Sequence, residues 1–178
     1  MSYSTSNNFK LLGAICKAEH THYAVVEPSR VGRVRLLSHS TCEASSEAYR
    51  TLLETEKPNI VAVEWYLGAD YDAQRAEAIL RRQAAAGEFF GVSYMLGIET
   101  IRKSRKLWKY ELFRKTVTDH QIEEALKTIL PFLVEGFQFS RENQGKREAP
   151  AFAARVALER VAENTLMPTE YAALLEGT

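Results

Sequence analysis

Four apolar residues in a row, Ile60, Val61, Ala62 and Val63, lead directly into a glutamate, Glu64. Pro58-Asn59 breaks the chain just before them, and an unbroken apolar run after such a break suits a short strand buried on both faces. A strand of that kind needs cover above and below it, which constrains everything around it. Glu64 ends the run, and a carboxylate there is costly unless a cation, a metal or hydrogen bonds meet it. A polar, glycine-containing loop follows, and over roughly residues 70–90 the pattern turns helical. Strand, terminal acid, loop and helix together are a common way for an α/β fold to present a functional group at one edge of its sheet.

The flanking chain supplies partners for that strand. Residues 9–16 (FKLLGAIC) and 21–27 (THYAVVE) read as strands, and Pro28-Ser29-Arg30 with Gly32 supplies hairpin chemistry. Residues 33–38 alternate Arg33, Val34, Arg35, Leu36, as a strand with one wet face does. A helix is expected over 41–57, ended by Pro58. In the helix after Glu64, Ile79, Leu80 and Ala84 share one face, Arg75, Arg81 and Arg82 lie elsewhere, and Ala84-Ala85-Ala86-Gly87 allows another helix to approach closely. Residues 91–98 (GVSYMLGI) read as a further buried strand. Thr118 and Gln121 stand at capping-box spacing before a helix carrying Ile122, Leu126, Ile129 and Leu130. An Ala-rich helix over 149–164 and a short one from about Pro168 complete the chain.

With 178 residues the chain suits a single domain over 9–178 after a loose lead-in over 1–8. Lysine plus arginine equals aspartate plus glutamate at 23 each, so any nucleic-acid contact has to come from a local patch. Cys16 and Cys42 form no CxxC pair and fit two reduced thiols in a cytoplasmic compartment. No apolar run approaches the roughly 18 residues of a membrane span, and the polar start lacks a signal peptide's apolar core.

The element order, an antiparallel meander followed by strands joined through helices, is the ribonuclease H-like order. The residues also resemble RuvC-type crossover-junction endodeoxyribonucleases. Leu11-Leu12-Gly13-Ala14-Ile15, then Thr21, Tyr23 and Val25-Val26, is similar to that family's opening strand pair. Residues 58–64 resemble its second signature, a strand ending in Glu, and residues 75–91 the helix that pairs with its twin in the family's homodimer. Ile101-Arg102-Lys103 is similar to a Val-Lys-Lys segment, residues 119–130 to the next helix, and residues 148–158 (EAPAFAARVAL) to the C-terminal Asp-Ala-Ala-Asp-Ala-Leu-Ala helix. The resemblance implies a RuvC-like mixed five-stranded sheet, order 3-2-1-4-5, flanked by helices.

The departures bear on chemistry. Family members cut DNA with four carboxylates that hold two Mg²⁺ ions. Here Ile15 stands at the first aspartate position, followed by Cys16-Lys17 in place of Pro-Gly. Glu64 is kept, Glu148 falls at the third position, and Ala151 replaces the fourth. Two-metal hydrolysis needs ions about 3.5–4 Å apart, bridged by several carboxylates, and Mg²⁺ demands near-octahedral oxygen ligands. Glu64 and Glu148 are thus remnant carboxylates, no metal ligand set is expected, and Mg²⁺ enters only if residual nuclease activity survives. Glu19, Asp70 and Asp72 lie in nearby loops, but nothing in their spacing aims them at Glu64. Otherwise Glu64 is a structural carboxylate, hydrogen-bonded at a strand end or paired with a base such as Arg155.

Seven bases against one acid, Glu111, fill residues 102–115, with Trp108, Tyr110 and Phe113 interleaved. The functional reading is phosphate contact by Arg102, Lys103, Arg105, Lys106 and Lys109, with Trp108 or Tyr110 packed beside them; the other is a solvated segment whose aromatics fill the core. Trp65 and Tyr66 stand where the resemblance would put aromatics that disrupt base pairs, or else they anchor the loop. His20 and His22 read as exposed turn histidines, and Cys16 as a buried structural thiol. The expectation is a pseudonuclease that binds branched or duplex DNA, including four-way junctions, and pairs through the helix over 75–91. Two alternatives stay open: an active Mg-dependent Holliday junction resolvase with a rebuilt site, and a protein-interaction scaffold with no use for DNA.

Overall fold

Leu11–Cys16 (β1) is buried at every position and lies at the centre of the sheet. Its neighbours set the topology. On one side runs His20–Arg30 (β2), antiparallel, with Leu11 opposite Val26 and Cys16 opposite Thr21. On the other side runs Ile60–Trp65 (β4), parallel, with Leu11 opposite Ile60 and Ala14 opposite Val63. Arg33–Glu43 (β3) pairs antiparallel with β2 across a turn in which Gly32 takes φ +73°, a conformation costly for any residue with a Cβ. Glu99–Ser104 (β5) extends the parallel part beyond β4. The computed structural model describes residues 10–30, 32–66, 76–115, 118, 121–140 and 146–166. The lead-in over 1–8, Asp70, Asp72, Arg75, His120 and the helix expected from Pro168 lie outside the described residues.

The sheet order is β5-β4-β1-β2-β3-β6, where Val134–Glu135 (β6) pairs parallel with the outer edge of β3. Read from the β3 side, the five principal strands run 3-2-1-4-5 as expected, and β6 is an addition. Two expected boundaries are corrected. The helix placed at 41–57 is Ser46–Glu56 (α1), because Thr41, Cys42 and Glu43 still pair with β2. Ser45 caps the helix through its Oγ, which accepts from the Ala48 N–H at 3.3 Å. Residues 91–98 are not a strand. Ala76–Met95 (α2) continues through them, and the chain turns out at Gly97, φ +71°, with the Ile98 N–H donating to the Ser93 carbonyl at 3.1 Å.

Helices cover both faces. Tyr49, Leu52 and Leu53 of α1 and Ala85, Ala86 and Phe89 of α2 pack on Leu12, Ala14, Cys16, Val61 and Val63. Leu11, Ile15, Ile60 and Ala62 point the other way, into residues of Arg105–Phe113 (α3), Ile122–Leu133 (α4) and Glu148–Leu166 (α5). The α5 helix lies very close to β1. A Cβ built on Gly13 would stand 2.7 Å from the Ala153 Cβ, so only glycine fits opposite that alanine-rich face. No helix among the described residues is long and apolar enough to cross a membrane.

Candidate functional site

The carboxyl ends of β1, β4 and β5 lie at one edge of the sheet, and Glu64 sits there with no exposure to water. A carboxylate so placed has to be fully met by donors, and it is. The Arg105 guanidinium Nη1 lies 3.0 Å from each of its oxygens, the Trp108 indole Nε1 donates to Oε2 at 2.8 Å, and the Tyr66 hydroxyl donates to Oε1 at 3.1 Å. The same Arg105 Nη1 reaches Glu148 Oε2 at 2.8 Å. One guanidinium therefore bridges Glu64 and Glu148. Burial works against its charge, but Glu64, then Glu148, more than offset that and hold it further into the protonated form. Burial, then Glu64, also raises the Tyr66 pKa, which keeps its hydroxyl a donor.

Local structure explains the convergence. Arg105 and Trp108 are three residues apart on α3, so both point to the sheet from one helix face. Tyr66 follows β4, and its backbone N–H is held by the Gln83 side chain of α2 at 3.1 Å. Arg82, one residue earlier, reaches the Tyr66 hydroxyl at 3.5 Å. Ile15 and Ala151, where the resemblance implied aspartates, are buried in the apolar core on this same side of the sheet. Arg155, expected as a partner for Glu64, instead pairs with Glu111 at 3.2 Å and Glu159 at 3.8 Å.

The basic run is dealt out to different surroundings. Its first part is strand β5, where neighbours face opposite sides. Arg102 is exposed and lies over the Trp65 and Phe90 rings, 5.2 and 5.1 Å from their centroids. Lys103 is buried and bound to Glu111 at 3.0 Å and Glu159 at 2.7 Å. Its second part is helix α3, where Arg105, Trp108 and Lys109 turn inward while Lys106 and Tyr110 stay exposed. Lys103, Arg105, Lys109 and Tyr66 are thus withdrawn from the outer surface on which phosphate contact was expected. Arg102 and Lys106 remain on it, with Trp65 half-buried beside Arg102. His22 is half-buried, not exposed, with Nδ1 2.9 Å from Thr41 Oγ1.

A set of four carboxylates and two Mg²⁺ ions does not fit these residues. The space between Glu64 and Glu148 holds a guanidinium, and the other two positions are apolar. Among the described residues, no group of three or more His, Cys, Asp and Glu is arranged to hold a metal ion. Beside the cluster lies a cleft of about 350 Å³ lined by Lys17, Ala18, Glu19, His20, Ala78 and Arg82. The sequence pattern had not singled out Lys17 or Arg82 for function. The outer face of α2 carries Leu80, Tyr94 and Met95 at 56, 74 and 79% exposure. Gly87 and Gly91 lie between them, with open space where a Cβ would be.

No family model and no curated protein matches the chain. Solved structures do. A Thermus thermophilus RuvC in complex with a Holliday junction substrate superposes with a TM-score of 0.68 at 18% identity, over 85% of this chain and 94% of that one. A second Thermus thermophilus RuvC structure gives 0.57 at 15% identity, over 86 and 96%. The fowlpox virus Holliday junction resolvase gives 0.50 at 10%, over 86 and 99%. With the meander, the two parallel crossovers and the α5 helix against β1, these likenesses establish that the chain has the RuvC-like ribonuclease H fold.

Proposed function

We propose that this chain is a RuvC-like pseudonuclease that binds branched or duplex DNA without cutting it. The observation that carries the reading is Arg105, whose guanidinium stands between Glu64 and Glu148 at hydrogen-bonding distance from both. Hydrolysis assisted by two metals needs those oxygens free to bind and bridge cations. Here both Glu64 oxygens and one Glu148 oxygen are engaged by a guanidinium, a cation that does not activate water. The same bridge offsets one of the two negative charges without a metal, which supports DNA binding by this chain in the absence of Mg²⁺. Arg102 and Lys106 supply phosphate contacts on the outer surface, and Trp65 offers an aromatic edge beside them.

Two copies pair through α2. Its exposed Leu80, Tyr94 and Met95, with small residues between, support that arrangement, because such a stripe lets a twin helix approach closely.

The test is a mobility-shift series with four-way junction, duplex and single strands in chelator, followed by incubation with Mg²⁺ or Mn²⁺. Expected are shifts that need no metal, weaken with salt and weaken further in Arg102→Gln/Lys106→Gln, with intact DNA throughout. Symmetric nicking of the junction that disappears in Glu64→Gln would restore the active-resolvase reading. Failure to shift any DNA, with capture of a defined protein partner, would favour the scaffold reading.

A further inference from the structure

The cleft beside the Glu64–Arg105–Glu148 cluster has a charge balance that the sequence does not announce. Lys17 leaves β1 where the β1–β2 hairpin closes, its N–H donating to the His20 carbonyl at 2.8 Å. Arg82 comes from the opposite wall, on α2. Glu148 and Glu64 lie near enough to act on the Lys17 charge, and two carboxylates would normally make this corner repel anions. Arg105 engages both of those carboxylates directly. Arg105 offsets one of their two negative charges, so Lys17 and Arg82 together offset the other and leave one positive charge at the mouth, with His20 beside them and Glu19 as the acid on the cleft wall.

Two further observations fit that balance. Burial, the largest influence on Lys17, lowers its pKa, as for an amine poorly paid in hydration; Glu148 raises it and Arg105 opposes. An anion brought to such an amine returns what desolvation took. Around the corner, His22 is pushed down to about 4, mainly by burial and then by His20, Lys17 and Lys146, with Glu148 opposing.

We infer that Lys17 and Arg82 form a metal-free seat for one backbone phosphate of bound DNA, in the cleft next to the arginine-bridged acids. This rests on the DNA-binding reading and adds residues and a place to it. The guanidinium offers paired N–H donors that suit phosphate oxygens, and the ammonium adds a point charge. The cleft is wide enough for a phosphodiester and open to the edge of the sheet at which the parallel strands end.

The experiment is fluorescence anisotropy of a labelled four-way junction in chelator across a salt series, with wild type, Lys17→Gln, Arg82→Gln, Arg82→Lys and Lys57→Gln. Lys57 is exposed and precedes β4, at the opposite edge of the sheet, and serves as the control. Each glutamine change in the cleft is expected to weaken binding several-fold. Each should also lower the slope of log affinity against log salt by about one, the signature of one lost phosphate contact. Arg82→Lys should keep most of the slope, and Lys57→Gln all of it. Thermal melting of every variant checks that the fold is kept; Lys17→Gln decides alone if Arg82→Gln melts early. Unchanged affinity and slope in the cleft variants, with wild type still binding, overturn the seat and leave the DNA-binding reading standing. No binding by wild type to junction, duplex or single strands overturns both. Binding that appears only when Mg²⁺ is restored overturns the metal-free seat.

Discussion

At Glu64 a side chain with zero exposure is accommodated because Arg105, Trp108 and Tyr66 all come to it. Breaking a buried ion pair by removing one member is far costlier than the pair is worth, since the other member is stranded. Arg105→Ala is therefore expected to lose about 3–5 kcal/mol in urea unfolding with chelator present. Millimolar Mn²⁺ should recover part of that loss in the variant, by occupying the place of the guanidinium, and leave wild type unchanged. His22 sets a pH dependence. Its folded pKa is about 4 against an ordinary 6.5, so the unfolded chain takes up the proton first. The stability that neutral His22 contributes is whole above pH 6.5 and drains away as pH falls towards 4. An imidazole titration followed by NMR should find a midpoint near 4, and His22→Gln should flatten the stability profile across that window. Glu64 at the end of an apolar strand was legible in the sequence as an acid in need of a partner. The sequence did not disclose Arg105 as the partner, because a charge run read along the chain does not say which members turn inward.

Element by element, periodicity decides what composition blurs. Residues 102–115 look like one basic patch in a line of letters, yet a strand sends Arg102 and Lys103 to opposite faces, and a helix sends Arg105 and Lys109 inward and Lys106 outward. The i, i+3 spacing of Arg105 and Trp108 was legible; its target across the sheet was not, since that depends on the register of β4 with β5. The meander and the Glu64 strand were legible from their apolar runs. Residues 91–98 were misread as a strand because a short apolar stretch fits either period. The true edge strand, ETIRKS, is largely polar, as an outer strand with limited cover can be. Close approach of α5 to β1 yields a sharp expectation. Gly13→Ala puts a methyl 2.7 Å from the Ala153 Cβ and should cost about 1–3 kcal/mol in chemical denaturation. Ala153→Gly in the same chain should recover part of the loss, less the roughly 1 kcal/mol that glycine costs inside a helix. A double-mutant cycle reads the coupling directly.

For the molecule as a whole, the outer stripe of α2 makes the proposed pairing measurable. Sedimentation of wild type should give a dimer, and Leu80→Glu/Tyr94→Lys should give a monomer that melts much as wild type does, since both side chains are exposed. The sheet's ladder was foreseeable from local patterns, whereas quaternary contacts and the ionic corner at its edge depend on surfaces that meet only after folding. The bridge at Arg105 also bears on what redesign of this corner would take. An aspartate placed at position 15 alone would join two acids already sharing one cation, deep in apolar packing. Building a four-acid centre here would require positions 15, 105 and 151 to change nearly together, so this arrangement works as a ratchet: each single substitution is expected to yield a less stable protein before it yields a usable one.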